Sequence, residues 1–161
     1  MVEPMAENTN PVYSRWLSLK DRPGGKRLFS FLLGRMAPYS GSISPRVEEL
    51  SIGRCVVTMH DRGKLRNHLN SIHAVALMNL GELASGLAVI SAIPPDARGI
   101  LAGLSIEYLK KGRGTLRAVC ECPVPESSER REYEVAAEIM DREDDVVARI
   151  TARWLIGPKE R

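Results

Sequence analysis

The sequence predicts an α+β fold, a curved antiparallel β-sheet wrapped around one long apolar helix and preceded by short N-terminal helices. Three observations point there. The run from Ala74 to Ile93 holds one ionisable residue, Glu82, among Ala, Leu, Val, Met and Ile, so a helix there is apolar all round and belongs inside a core. The last third of the chain alternates apolar and polar residues with a period of two, which marks strands with one buried and one solvated face. No βαβ repeat with a glycine-rich phosphate loop appears, which argues against a doubly wound nucleotide fold. A sheet that hides one face and a helix that hides nearly all of itself satisfy one another.

The elements follow in order. Residues 1–10 read as disordered or loosely attached, and Glu3 and Glu7 with no apolar segment argue against a signal peptide. Pro11 to Lys20 reads as a short helix with Trp16 and Leu17 inward, broken by Arg22-Pro-Gly-Gly. Lys26 to Met36 reads as a second helix with Leu28, Phe31, Leu32 and Met36 at amphipathic spacing, ended by Pro38 and Gly41. Arg46 to Leu50 and Arg54 to His60 are strand-like, with a turn at Gly53. Ser71 is the expected N-cap of a long helix from about Ile72 to Ile93, which Pro94-Pro95 stops.

Four strands then follow. Ile100, Ala102, Leu104, Ile106 and Tyr108 alternate along the first, and Leu116, Ala118, Cys120 and Cys122 along the second. Tyr133 to Ile139 and Val146 to Ile156 supply the others, and acids of the third are expected to pair with Arg149 and Arg153 of the fourth. The expected organisation is an N-terminal extension over residues 1–37 and one domain over 38–161.

Composition narrows the function. The 161 residues carry a formal net charge of +3 with charges mixed along most of the chain, so no nucleic-acid partner is expected. The apolar run has the length of a membrane span, but His73, Asn79, Glu82 and many small residues favour a buried core helix; no membrane partner is expected. Cys55, Cys120 and Cys122 do not make a paired disulfide set, which suits a reducing cytoplasm. His60, Asp61, His68 and His73 match no standard ligand spacing, so no metal is expected.

Glu82 is the residue that asks for an explanation. An ionised carboxylate in apolar surroundings is costly unless partnered, and burial raises its pKa toward the range useful in acid–base chemistry. Arg62 or Arg66 could partner it for purely structural reasons. Near the helix start stand Asn67, His73 and the Ala74 N–H. Free N–H groups in a first turn can polarise a carbonyl and hold an oxyanion. Nine residues separate His73 from Glu82, which puts them on opposite sides of one helix and about 13 Å apart. One protomer can hardly bring both to one carbonyl. A twofold dimer can, if Glu82 of one copy meets the helix start of the other.

Asn67-His-Leu-Asn-Ser-Ile-His73-Ala74-Val75, followed by Asn79-Leu-Gly-Glu82, resembles the hotdog-fold thioesterases of the phenylacetate-pathway type. It is most similar to the thioesterase-related subgroup described as a domain of unknown function (DUF4442-like). The resemblance covers roughly residues 38 to 157. It implies that Glu82 is general base or nucleophile on a thioester carbonyl, that Asn67 orients the water or the carboxylate, that the Ala74 N–H binds the carbonyl oxygen and that His73 orders the turn. The implied substrate is an acyl-coenzyme A or another acyl thioester, with no further cofactor, in a homodimer or tetramer.

The chain departs from the family pattern at two places. Ala74-Val75 replaces a Gly-Gly pair, and Val75 is expected to narrow the acyl pocket. Gly86, with Ser85 beside it, stands where some relatives carry Thr or Ser. Lys111 and Arg113, with Lys110, could meet coenzyme A phosphates or form a solvated turn. His73 could equally cap the helix, and Asn67 could satisfy loop backbone groups. The leading expectation is an acyl-CoA hydrolase-like protein; the alternative is a non-catalytic acyl-thioester-binding module.

Overall fold

The computed structural model describes residues 10–160. The expectation of disorder over residues 1–10 falls almost wholly outside them. Helix α1 (Pro11–Leu19) starts where Asn10 Oδ1 accepts from the Val12 N–H at 2.9 Å, with Pro11 in the first turn where a missing donor costs nothing. Helix α2 (Gly25–Met36) follows a tight turn. A Cβ on Gly25 would lie 1.7 Å from the Leu19 carbonyl oxygen, so only glycine fits there. Trp16 and Phe29 meet edge to face at 5.2 Å and tie the two helices together.

The inward face of α2 is not the expected one. Phe29, Ser30 and Leu33 are buried, whereas Leu28, Phe31 and Met36 face solvent. Ser30 explains the rotation: its hydroxyl accepts from the Val47 N–H at 2.9 Å, which fixes a polar residue of α2 against the first strand. Pro38 and Gly41 do not simply end the helix. They bound a further turn, α3 (Pro38–Gly41), in which Gly41 packs directly on the backbone of Gly34.

Strands β1 (Arg46–Ser51) and β2 (Arg54–Met59) precede the long helix α4 (Ala74–Ala92), and β3 (Ala97–Tyr108), β4 (Leu116–Glu121), β5 (Arg131–Met140) and β6 (Val146–Pro158) follow it. Among the described residues the six strands form one antiparallel sheet in the order β1-β2-β4-β5-β6-β3. The expected helix wrapped by a sheet is present. Thirteen of the residues of α4 are buried, against Met59, Leu116, Ile139, Ile150 and Ile156 among others. By length and composition α4 could cross a membrane, but here 61% of its apolar window is buried inside the protein.

Glycines on α4 set its distance from β6. A Cβ on Gly81 would stand 2.5 Å from the Ile150 side chain, and one on Gly86 would stand 3.3 Å from the Trp154 ring. On the solvated face of β5 and β6, Glu138 pairs with Arg149 and Glu132 with Arg153, each at 3.0 Å, as the cross-strand pattern predicts.

Strand β3 departs from its expected alternation. Ile100, Ala102 and Tyr108 are exposed, while Leu101, Leu104 and Ile106 pack partly on the core. The register shifts between Leu101 and Gly103. Gly103 admits the Arg153 guanidinium where a Cβ would collide with it, and a one-residue shift exchanges the faces of a strand. β3 is also an edge, paired with β6 alone.

Candidate active site

The start of α4 is built by a loop that satisfies itself. Asn67 Oδ1 accepts from the N–H of Leu69 at 3.0 Å and of Ser71 at 3.3 Å, and from the Ser71 hydroxyl at 3.2 Å. The Ile72 N–H donates to Gly112 O and the His73 N–H to Leu65 O. The N-cap is His73, not Ser71: its Nδ1 accepts from the Val75 N–H at 3.1 Å. The helix therefore begins two residues later than expected, because Ser71 is already committed to Asn67.

With Val75 capped and the N–H groups of Ala76 and Leu77 turned to the His73 carbonyl, the Ala74 N–H has no acceptor among the described residues. It is the free donor of this helix start. Tyr108 fastens the turn from the other side, donating its hydroxyl to Ala74 O at 2.9 Å. Burial raises the Tyr108 pKa, so the phenol remains a donor over the neutral range.

Asn67, Ala74, Tyr108 and Lys111 share one open groove of about 350 Å³, with Leu77 at its floor. His73 and Val75 stand exposed beside it, and Val75 points to solvent rather than narrowing the groove. Arg113 is exposed and reaches Leu69 O at 3.5 Å. Lys110 is occupied by Asp141 at 2.6 Å and Asp145 at 2.8 Å, whereas Lys111 has no ion-pair partner among the described residues.

Glu82 lies elsewhere on the same helix. It is half-buried, and burial alone pushes its carboxyl pKa up. Neither expected cation partners it: Arg62 donates to Ile43 O, and Arg66 pairs with Asp61. Among the described residues the Glu82 carboxyl has no hydrogen-bond or ion-pair partner. Eight residues separate it from Ala74, about 12 Å of helix rise. The chain thus brings together Asn67, His73, Ala74 and Lys111, and holds Glu82, Ser85 and Gly86 apart from them.

The surroundings of Glu82 were only partly legible. Ser85 is fully buried, and its hydroxyl donates to Glu82 O at 2.9 Å while accepting from Trp154 Nε1 at 3.3 Å. It has no face toward a ligand. A Cβ on Gly86 would lie 3.3 Å from the Trp154 ring and 3.9 Å from Glu82 Oε1, so both side chains border the space over Gly86. The sequence offered no signal for this beyond a tryptophan on an inward strand position. Tyr108 had a weak signal, an aromatic residue closing a strand before a glycine turn.

Among the described residues no cluster of three His, Cys, Asp or Glu side chains is placed to hold a metal ion. Cys55 and Cys120 face one another across β2 and β4 as free, buried thiols.

Residues 25–156 match the family model for the domain of unknown function DUF4442. This chain belongs to the DUF4442 family. No curated protein matches it. A solved structure described as genomics target APC5556 is 29% identical with a TM-score of 0.79, covering 92% of this chain and 98% of its own. A Pseudomonas aeruginosa protein of unknown function, described as a probable thioesterase, is 20% identical with a TM-score of 0.74, covering 83% and 95%. A hypothetical thioesterase from Streptococcus pneumoniae, solved with coenzyme A, is 23% identical with a TM-score of 0.65, covering 80% and 99%. This DUF4442 chain has the hotdog fold of those structures.

Proposed function

We propose that this DUF4442 protein hydrolyses acyl thioesters, acyl-coenzyme A among them, at sites shared between two copies of the chain. The observation that carries the reading is the unpartnered, half-buried carboxyl of Glu82, about 12 Å along α4 from the free Ala74 N–H. Each is one half of a hydrolytic site and neither is used structurally within its own protomer. A twofold axis that sets α4 of one copy beside α4 of the other pairs the halves, and both resulting sites are equivalent.

In this reading the thioester carbonyl oxygen sits on the Ala74 N–H, at the positive end of the helix. Glu82 of the other copy takes a proton from water, and the hydroxide adds to the carbonyl carbon. The tetrahedral intermediate then collapses, the C–S bond breaks, and the proton on Glu82 passes to the leaving thiolate. The products are a carboxylic acid and a free thiol. Lys111 and Arg113, beside the groove, suit the phosphates of a coenzyme A carrier. The names of the Pseudomonas and Streptococcus structures, one of them with coenzyme A, support this class of ligand. Three unpaired cysteines suit a reducing compartment.

A second reading, a non-catalytic acyl-thioester-binding module, is favoured by Gly86. Gly86 offers no hydroxyl to hold the water, and the Trp154 ring borders that space. A panel of acyl-CoA thioesters, assayed for binding and for thiol release with the wild type and Glu82→Gln, separates the two. Release that Glu82→Gln abolishes supports the hydrolase; binding without release in the wild type supports the module.

A further inference from the structure

Away from α4, the N-terminal helices carry a surface that neither the core nor the candidate site uses. Arg27, Leu28, Phe31 and Arg35 fall within one arc of about 100° on α2, opposite the buried Phe29, Ser30 and Leu33. Within that arc Leu28 is 48% exposed and Phe31 62%. Exposed apolar residues that cluster in this way mark an interaction surface rather than chance.

The charge around them is one-sided. Residues 10–46 hold seven basic residues and one acid, Asp21, while the whole chain nets only +3. The rest of the chain is therefore acidic on balance. Most arginines of the sheet are paired with acids: Arg46, Arg54, Arg98, Arg117, Arg149 and Arg153. Arg27 and Arg35 make no ion pair or side-chain hydrogen bond among the described residues. With Arg46, they line an open groove of about 760 Å³ between α2, α3 and β1, and Phe31 stands at the same groove. β1 is the opposite sheet edge from β3.

We infer that this face docks on an anionic phospholipid bilayer, with Leu28 and Phe31 entering the headgroup region and Arg27 and Arg35 meeting lipid phosphates. Aromatic and aliphatic side chains interleaved with free cations on one helix face suit an interface that is apolar inside and negatively charged at its surface. An acidic protein surface would match the arginines but leave Leu28 and Phe31 against polar groups. The contact is peripheral, so it is compatible with α4 being a core helix. It stands apart from the reading of Glu82.

Vesicle flotation tests it. The full chain is mixed with phosphatidylcholine vesicles, either pure or with about one-third phosphatidylglycerol. The expected result is flotation with the anionic vesicles only, weakened by added salt. The exposed-site double variant Arg27→Gln/Arg35→Gln should partition about thirtyfold more weakly, since each basic group near such a surface contributes roughly fivefold. Phe31→Ser should partition roughly tenfold more weakly. Wild-type protein that stays at the bottom with anionic vesicles overturns the proposal. So does undiminished flotation of both variants. A wild type that does not float, together with a Phe31→Ser protein that sediments as a smaller species, makes the face a contact between copies and equally overturns it.

Discussion

Tyr108 donates its hydroxyl to the Ala74 carbonyl oxygen at 2.9 Å, fastening the end of β3 to the first turn of α4. The bond orients the peptide that follows Ala74 and steadies the turn that presents the free Ala74 N–H. Replacing Tyr108 by Phe removes one partly exposed hydrogen bond, which costs about 1 kcal/mol in unfolding free energy. The proposed oxyanion donor then loses its brace, so kcat should fall several-fold with a smaller change in KM. Urea unfolding and steady-state thiol release on the same variant measure both.

Glu82→Gln removes the proposed base and retains the shape. Turnover should drop by about 10²- to 10⁴-fold, the usual contribution of a general base. Because burial raises the Glu82 pKa, wild-type kcat should climb with pH through a value above that of an ordinary glutamate. The climb should be absent in Glu82→Gln. A pH–rate profile of the two proteins checks the assignment.

The same carboxyl has a signed effect on stability. Its folded pKa lies above its unfolded one, so the folded state binds the extra proton in the window between them. Stability is therefore greatest below the unfolded value and declines as pH rises through the raised pKa. Glu82→Gln, which carries no charge, should lose this decline and be relatively more stable at pH 8 than at pH 4. Denaturant titrations at the two pH values give the comparison.

Two glycines on α4 should differ in what they tolerate. Ala at Gly81 would place a methyl 2.5 Å from Ile150, a fully buried side chain, and should cost about 1–3 kcal/mol. Ala at Gly86 meets the Trp154 ring at 3.3 Å, a milder crowding that the better helix propensity of Ala, about 1 kcal/mol, largely offsets. Thermal unfolding should rank Gly81→Ala well below Gly86→Ala. The pair Gly81→Ala/Ile150→Val should recover part of the loss.

The native thiols should be slow to react. Burial pushes Cys120 up to about 12 and Cys122 up to about 11, and Cys55 higher still. Near pH 8 almost none is thiolate, the reactive form. A disulfide thiol reagent should therefore label the folded protein slowly and all three cysteines quickly in guanidinium. That difference also keeps the background of a thiol-release assay low.

What could be read from residues alone was whatever local pattern encodes. An apolar helix between Ser71 and Pro94, four alternating strands and the Arg149 and Arg153 pairings follow from periodicity. So does the suspicion about Glu82, because a lone carboxylate in such a run stands out from its neighbours. The spacing from His73 to Glu82 gave their axial separation, but the opposite-sides reading took both to be helical, and His73 is the N-cap just outside α4. The inward face of α2 was not legible, because its apolar residues cover more than one side. The choice fell to Ser30 bonding to β1, an interaction across 17 residues.

The tertiary structure likewise decided the register of β3, through Arg153 seated over Gly103, and the placing of Trp154 against Gly86. It decided that His73 rather than Ser71 caps α4, because the loop through Asn67 had already taken the serine. Periodicity reports which residues seek burial along an element. Which of two competing faces or partners wins depends on groups far away in the chain, and only the folded packing brings those together.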